Sequence, residues 1–199
     1  MINSDNPVAV GRFNTLRVVR TVDFGYFLDG GELGDILMPA KYATNGIGVG
    51  SMVDVFVYSD SEDRLIATTE KPYAQVGEFA YLTVKSVSRF GAFLDWGLLK
   101  DLLFPYSAQR NRMEKGKSYV GYIYLDSTKK RIAATEKINR YLDNVAPRYE
   151  MGDEVDIMIT EETDLGYKAI VNNLHSRIIY HSSVYSRLKT GYRRKAYVQ

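Results

Sequence analysis

The chain has 199 residues, of which 45% are hydrophobic and 25% charged, and its formal net charge is +2, a composition typical of a folded globular protein. The absence of cysteine excludes disulfides and cysteine-ligated metal sites. The sequence has no apolar run long enough to span a membrane and no secretory signal at its start, so we expect a cytoplasmic protein without a membrane partner.

Residues 1–74 contain five segments that are rich in β-branched and apolar residues and are bounded by glycine or polar turns, which predicts short β-strands. In chain order the segments are TLRVVRTV, FGYFLD, DILMP, SMVDVFVY and RLIATTE. The segment AKYATNG, between the third and the fourth, predicts a short helical turn. Five strands arranged as a Greek key in so short a segment describe an OB barrel, whose closure leaves no strand edge open.

The second part of the chain repeats the first at an offset of 66 residues. Phe24-Gly25 aligns with Phe90-Gly91, and IATTEK aligns with IAATEK. A fainter third copy lies 75 residues further on, where Gly91 aligns with Gly166. The third copy ends before its last strand, so we expect an incomplete third barrel and a chain that is a fragment of a longer protein. A degenerate unit that never had this strand remains the alternative.

The repeat predicts an all-β protein of tandem five-stranded OB barrels, with domains at 1–74 and 75–138 and an incomplete third domain at 139–199. The connector NRYLDNV predicts a short helix that ends before Pro147, with Leu142 and Val145 facing a barrel. Because the connector is not rich in glycine and serine, we expect a fixed array of barrels and not a flexible string.

Two phenylalanines, Phe24 and Phe27, lie on either side of a glycine. Residues i and i+3 of a regular strand face opposite sides of the sheet. Gly25 permits a β-bulge that would return both rings to one face, and the same holds for Phe90 and Phe93 in the second copy. In the alternative, one ring belongs to the core and the other is exposed.

The segments RFGAFLDWGLLKDLLFP and YVGYIYLDSTKKRIAATEK resemble the S1 family of RNA-binding OB domains. The tandem units are similar to bacterial proteins of the conserved virulence factor B type, although no winged-helix segment is present here. The resemblance implies RNA binding by two aromatic residues of strand 2, a histidine after strand 3, an aspartate at the end of strand 4 and a basic residue in the following turn. The matching positions are Phe24, Phe27, Met38, Asp60 and Arg64 in the first copy, Phe90, Phe93, Phe104, Asp126 and Lys130 in the second, and Leu165, Lys168 and Tyr180 in the third. The family histidine is absent from all three copies.

Charge differs between the copies: residues 1–74 carry −4, residues 75–138 carry +5 and residues 139–199 carry +1. Unpaired nucleic acid is held by aromatic rings that stack on bases and by cations that contact phosphates. We therefore expect the second copy to be the main site for single-stranded RNA, with Lys85 and Arg89 flanking its aromatic residues. The acidic first copy would repel phosphate and is a candidate surface for a protein partner.

We expect an RNA-binding regulator of gene expression that uses no cofactor, metal or catalytic residue and is not an enzyme. The two histidines, His175 and His181, have no carboxylate motif beside them that would indicate a metal or catalytic site. The sequence does not distinguish single-stranded RNA from single-stranded DNA. The alternative function is a protein-interaction scaffold with weak or no RNA binding.

Overall fold

A computed structural model describes residues 7–126 and 131–199 of the chain. Within these residues the regular elements are β-strands and short 3₁₀ turns, with no α-helix. Two sets of five strands close into barrels, and four further strands form a third sheet. The prediction of an all-β protein built from tandem OB barrels is confirmed.

The first barrel closes in the strand order β1-β2-β3-β5-β4, with β3 parallel to β5 and the other neighbours antiparallel. Alternate apolar residues, among them Val18, Leu28, Ile36, Met38 and Val55, point inward and fill the barrel, as the period of two along a strand requires. Its strands are β1 (Phe13–Val22), β2 (Gly25–Asp29), β3 (Asp35–Pro39), β4 (Met52–Ser59) and β5 (Leu65–Thr68).

The second barrel has the same strand order, β9-β6-β7-β8-β10, and is also closed. Its core includes Ala92, Leu94, Leu102, Phe104 and Ile123, all fully or almost fully buried. Its strands are β6 (Phe79–Ser88), β7 (Gly91–Asp95), β8 (Leu102–Pro105), β9 (Ser118–Asp126) and β10 (Arg131–Thr135).

The third sheet has four antiparallel strands in the order β13-β12-β11-β14, which matches the first four strands of a barrel. Its strands are β11 (Glu154–Thr163), β12 (Gly166–Val171), β13 (His175–Tyr180) and β14 (Arg193–Tyr197). Within the described part of the chain no fifth strand joins this sheet, so the predicted incomplete third barrel is confirmed.

Short 3₁₀ turns follow the third strand of each copy, at Ala40–Tyr42, Tyr106–Ala108 and His181–Ser183. The first lies in the segment AKYATNG, for which the sequence predicts a short helical turn. In each copy, the residue directly before the 3₁₀ turn contacts the glycine that starts the second strand, either as its partner in the sheet or by packing against it. The turn therefore lies beside the tip of the hairpin that carries the candidate aromatic residues.

The connector forms a 3₁₀ turn at Ile138–Tyr141. Leu142 is buried against Phe79 of the second barrel, as predicted. The prediction for Val145 is wrong, because its side chain is exposed and its carbonyl oxygen, not its side chain, contacts the third sheet through Nε2 of His175 at 2.8 Å. A polar contact to the backbone holds this end of the connector where the sequence predicts an apolar one.

Packing divides the chain into two compact units whose limits run through the second barrel. The predicted domain limits, 1–74, 75–138 and 139–199, stay predictions. The first unit is Met1–Val76, Asp95–Leu102 and Tyr124–Ala133, and the second is Gly77–Leu94, Leu103–Ile123 and Ala134–Gln199.

One glycine in each copy lies against the backbone of the neighbouring strand. A Cβ atom added to this glycine would lie within about 2.3 Å of a carbonyl oxygen, which is far inside van der Waals contact. Only glycine allows the second and third strands of each copy to approach so closely at this point. The pairs are Gly25 with Met38 at 2.3 Å, Gly91 with Phe104 at 2.1 Å, and Gly166 with Ile179 at 2.1 Å.

This close approach corrects the expected role of the glycine in the first copy. The β2–β3 register runs from Gly25 opposite Pro39 to Asp29 opposite Asp35 without a shift, so the bulge predicted beside Gly25 is wrong. The irregularity lies in β1 instead, at the register shift between Val18 and Arg20. Sequence spacing indicates an extra residue somewhere in the hairpin but does not assign it to a strand.

Replacing Gly91 with alanine is expected to lower the free energy of unfolding by about 1–3 kcal/mol, because the new methyl group overlaps the Phe104 carbonyl. Urea denaturation measures this change. Gly48→Ala is the matched control, since a Cβ at Gly48 meets no atom within 4 Å. Equal stability of the Gly91→Ala and Gly48→Ala variants would contradict the assigned role.

Candidate nucleic-acid interface

The tip of the first hairpin in each copy carries an exposed apolar side chain directly before the close-contact glycine. Phe24, Phe90 and Leu165 occupy this position and are 62%, 59% and 63% exposed. Because all three repeats expose a large apolar residue at the equivalent point, the backbone and not the residue type determines this exposure. Two of the three present a flat ring to solvent.

The first barrel assembles two rings and a cation on its outer face. The rings of Phe24 and Phe27 meet edge to face, with centroids 6.5 Å apart and planes at 80°. Arg20 pairs with Phe27 across β1 and β2 and places its guanidinium carbon 4.0 Å from the centroid of that ring. Leu37, the β3 partner of Phe27, continues the row. The prediction that both rings share a face is thus correct for this copy, although the turn and not a β2 bulge produces it.

Carboxylates surround the cations of this first face. Arg20 lies 3.9 Å from Asp35, and Arg17 lies 3.5 Å from Asp29. These exposed ion pairs contribute little to stability, but the carboxylates repel an approaching phosphate. The first face therefore offers rings for stacking in an electrostatic environment that disfavours nucleic acid.

The second barrel presents Phe90 with a cation above it. The guanidinium carbon of Arg89 lies 4.7 Å from the Phe90 ring centroid, and the Phe90 N–H donates to the hydroxyl of Ser88 at 3.1 Å. Phe93 is half-buried and faces outward, because its neighbours Ala92 and Leu94 are fully buried inside the barrel. Arg89 makes no ion pair with any residue that the structure describes.

A second aromatic–arginine pair lies against the β6–β7 turn, and no pattern in the sequence predicts it. The Tyr106 hydroxyl donates to the Ser88 carbonyl oxygen at 2.6 Å, and the Arg112 guanidinium carbon lies 3.6 Å from the centroid of the Tyr106 ring. The distinguishing signal in the sequence is the tyrosine directly after Pro105, where the first copy has alanine after Pro39.

The prediction that Phe104 stacks on a base is wrong. Its side chain is fully buried, and its ring packs so closely on Gly121 that an added Cβ there would lie 2.1 Å from Cζ. Side chains alternate along β8, so Leu103 and Pro105 face outward and Phe104 faces inward. Met38, the equivalent residue in the first copy, is buried in the same way.

The third copy differs from the other two at each candidate position. Tyr180 is 57% exposed, but it pairs with Gly166 as Pro39 pairs with Gly25, so it is equivalent to a proline and not to Phe104. The outward position on β12 is Lys168, which forms an ion pair with Glu161. An internally neutralised pair replaces the arginine–phenylalanine pair of the first copy.

Asp60 and Arg64, predicted as binding residues, close the β4–β5 turn. One Asp60 oxygen accepts hydrogen bonds from the backbone N–H groups of Glu62 and Arg64, at 2.9 and 3.0 Å, and the other accepts from the Arg64 guanidinium at 2.8 and 2.9 Å. Burial raises the pKa of the Asp60 carboxyl, but these hydrogen bonds outweigh burial and hold the pKa below its ordinary value. Arg64 is thereby occupied by Asp60 and Glu62.

The remaining predicted residues of the second copy lie outside the β6–β7 turn that carries Phe90. Lys85 is exposed on β6, and Asp126 is half-buried at the end of β9. Lys130 lies outside the described residues. Two further basic residues of the second copy, Lys100 and Arg131, both lie near Asp63. Lys100 is 3.7 Å from Asp63 and burial lowers its pKa, and Arg131 forms an ion pair with Asp63.

Both histidines have hydrogen-bond partners. His175 places Nδ1 2.6 Å from the Tyr149 hydroxyl and Nε2 2.8 Å from the Val145 carbonyl, and His181 Nε2 lies 3.1 Å from the Thr163 carbonyl. A carbonyl oxygen only accepts, so Nε2 of His175 carries the hydrogen and Nδ1 accepts from tyrosine. Across 7–126 and 131–199 no three histidine or acidic residues cluster as metal ligands.

Over the same two ranges, no helix has the length and apolar character needed to cross a lipid bilayer.

Comparison with known proteins agrees with this geometry. A family model described as the S1 domain matches residues 10–70 and 76–136. The chain is 37% identical over 100 residues to the uncharacterized protein YitL of Bacillus subtilis (strain 168), a match that covers 50% of this chain and 33% of YitL. The chain therefore matches about a third of that relative's length.

A solved structure shares the fold. It is a crystal structure of a multidomain protein with nucleic acid binding domains from Streptococcus pneumoniae, with a TM-score of 0.56 and 20% identity. The match covers 94% of this chain and 68% of that chain.

Phe104→Ala is expected to lower the free energy of unfolding by about 3–5 kcal/mol, because it leaves a cavity in a closed barrel. Urea denaturation measures the loss, and Phe90→Ala is the control, since Phe90 is exposed and contributes little to packing. A Phe104→Ala protein as stable as the wild type would show that the ring is not a core residue.

Asp60→Asn is expected to destabilise the protein by roughly 1–2 kcal/mol at neutral pH, since it removes charge-assisted hydrogen bonds to Arg64. The pKa of Asp60 is depressed in the folded state, so its contribution is present above the unfolded pKa and is lost as the pH falls through the folded value.

The difference in Tm between wild type and Asp60→Asn should therefore be constant near neutrality and shrink below about pH 4. Asp23→Asn, at an exposed turn residue, controls for the loss of one charge. A difference in Tm that stays the same from pH 7 to the acid limit of folding would refute the assignment.

Proposed function

Because the chain belongs to the S1 domain family, we propose that it binds single-stranded RNA on the outer face of its second barrel. The observation that carries the proposal is the exposed Phe90 ring with the Arg89 guanidinium above it. A base stacks on the ring, and the cation contacts the adjoining phosphate. Stacking on an aromatic side chain contributes about 1–3 kcal/mol per base.

General nucleic-acid binding has independent support. Two S1 domain matches cover most of the chain, and the pneumococcal protein that shares this fold is described as having nucleic acid binding domains. The finer proposal of stacking on Phe90 rests on the geometry of the β6–β7 turn.

The choice of the second barrel follows from its charge. Residues 75–138 carry +5, and Arg89 and Arg112 each lie over an aromatic ring without an ion-pair partner among the described residues. On the first barrel the corresponding rings lie beside Arg20, which is near Asp35. Counterion release on phosphate binding therefore favours the second face.

A role in regulating gene expression within the cytoplasm follows as part of the same proposal. In this proposal the chain holds unpaired RNA and thereby competes with, or recruits, other factors on the transcript. Single-stranded DNA is the competing ligand, because stacking on Phe90 does not require a 2′-hydroxyl.

A protein-docking role is the second candidate, and the first barrel favours it. Its exposed Phe24 and partly exposed Phe27 rings lie among carboxylates, in a segment of net charge −4. Such a surface suits a basic protein partner better than a phosphate backbone. The affinity for a basic protein partner also falls as salt is added, so salt dependence alone does not separate the two functions. Competition between RNA and the protein partner for the chain decides between them.

The test is replacement of Phe90 by leucine, the residue type found at the equivalent position of the third copy. Leucine keeps apolar bulk but removes the flat ring, so affinity for a fluorescent single-stranded RNA should fall roughly 5- to 150-fold. Fluorescence anisotropy of the full chain measures this affinity.

Phe24→Leu makes the same change on the first barrel and is the matched control. We expect it to alter affinity by no more than about twofold. If Phe24→Leu abolishes binding while Phe90→Leu does not, the first barrel is the binding site. If the wild-type chain binds no single-stranded RNA at any salt concentration, the proposed function is wrong.

A further inference from the structure

A tyrosine and an arginine outside the positions that family resemblance assigns form a second stacked pair on the second barrel. The guanidinium carbon of Arg112 lies 3.6 Å from the Tyr106 ring centroid, closer than Arg89 lies to Phe90. Arg112 is exposed, whereas Tyr106 is half-buried. One face of the Arg112 guanidinium therefore covers the Tyr106 ring, and the opposite face of the guanidinium points toward solvent.

The pair is joined to the proposed site through a single residue. The Ser88 carbonyl accepts from the Tyr106 hydroxyl at 2.6 Å, and the Ser88 hydroxyl accepts from the Phe90 N–H at 3.1 Å. Both ring–cation pairs are thus anchored to the same short turn.

Barrel closure does not require this pair. At the offset of 66 residues the first copy has Ala40 in place of Tyr106 and Gly46 in place of Arg112, and the first barrel closes with the same strand order. The third copy has His181 after its third strand, and its Nε2 contacts the Thr163 carbonyl as Tyr106 contacts Ser88. The anchoring bond recurs, but an arginine on the ring is found only in the second copy among the described residues.

The loop that carries Arg112 is held by other residues. Gln109 donates to the Phe104 carbonyl at 2.8 Å and accepts from the Met113 N–H at 3.2 Å, and both Gln109 and Met113 are buried. These contacts fix the loop on either side of Arg112. The loop therefore does not need Arg112 to keep its conformation.

We propose that Tyr106 and Arg112 form an additional nucleotide subsite, which rests on the proposed RNA binding at Phe90 and extends it by one position. The open face of the Arg112 guanidinium stacks on a base, while its N–H groups at the edge donate to a phosphate oxygen. The subsite favours a strand over a single nucleotide, because a single nucleotide that occupies Phe90 does not reach it.

The experiment measures the affinity of the full chain for two uridine ligands: uridine 5′-monophosphate, the short RNA, which occupies the Phe90 site alone, and a polyuridine of about 12 nucleotides, the long RNA, which lies within the usual site size of one OB fold. Tyr106→Ala combined with Arg112→Gly installs the residues of the first copy. We expect this double variant to lose about tenfold in affinity for the long RNA and to leave the short RNA unchanged. Its affinity should also depend less steeply on salt, by about one phosphate contact.

Two single variants separate the contributions. Tyr106→Phe removes the bond to Ser88 but keeps the ring, so it should retain most of the affinity for the long RNA. Arg112→Gln removes the charge and the planar stack and should lose most of what the double variant loses. Thermal unfolding of each variant shows whether the loss comes from binding or from a destabilised barrel.

The outcomes distinguish this inference from the proposed function. If Phe90→Leu weakens binding of both RNAs while the Tyr106 and Arg112 variants bind both like the wild type, the subsite does not exist and the Phe90 site stands. An equal loss on both RNAs also overturns the subsite. If the wild-type chain binds neither RNA, the proposed function and the subsite are both wrong.

Discussion

The close approach of one glycine to a neighbouring carbonyl determines where each copy presents its exposed apolar side chain. With no room for a Cβ at Gly25, Gly91 or Gly166, the backbone of the second strand lies directly on the third strand. The residue before the glycine is then held at the tip of the hairpin, outside the barrel, whatever its hydrophobicity. Phe24, Phe90 and Leu165 are all about equally exposed for this reason. Because this apolar residue is exposed and not packed in the core, a ligand can contact it.

The three copies show how one scaffold supports different surfaces. The row that crosses the second strand is Arg20, Phe27 and Leu37 in the first copy and Glu161, Lys168 and Ile178 in the third. In the second copy the 66-residue repeat places Ser86, Phe93 and Leu103 in this row, and the cations lie at the hairpin tip and the following loop instead. The core positions that close the barrel are shared, so barrel closure does not depend on the differences in charge and aromaticity.

Much of the fold could be predicted from the sequence, because the alternation of apolar residues and the ungapped repeat can be recognised without any knowledge of packing. Three features of the site could not. The inward direction of Phe104 depends on the register of β8 with Gly91, and a shift of one residue reverses the face. The equivalence of Tyr180 with Pro39 depends on pairing with Gly166. The contact of Arg112 with Tyr106 depends on the path of a loop, which no periodicity reveals.

The most direct test of the account is a map of backbone amide chemical-shift changes when single-stranded RNA is added to the isotope-labelled full chain. The account predicts that the amides of Arg89, Phe90 and Gly91 change first and most, followed by those around Tyr106 and Arg112, while Phe24 and Leu165 change little. Changes centred on the first hairpin of another copy, or spread evenly over the basic surface with no maximum at Phe90, would contradict it.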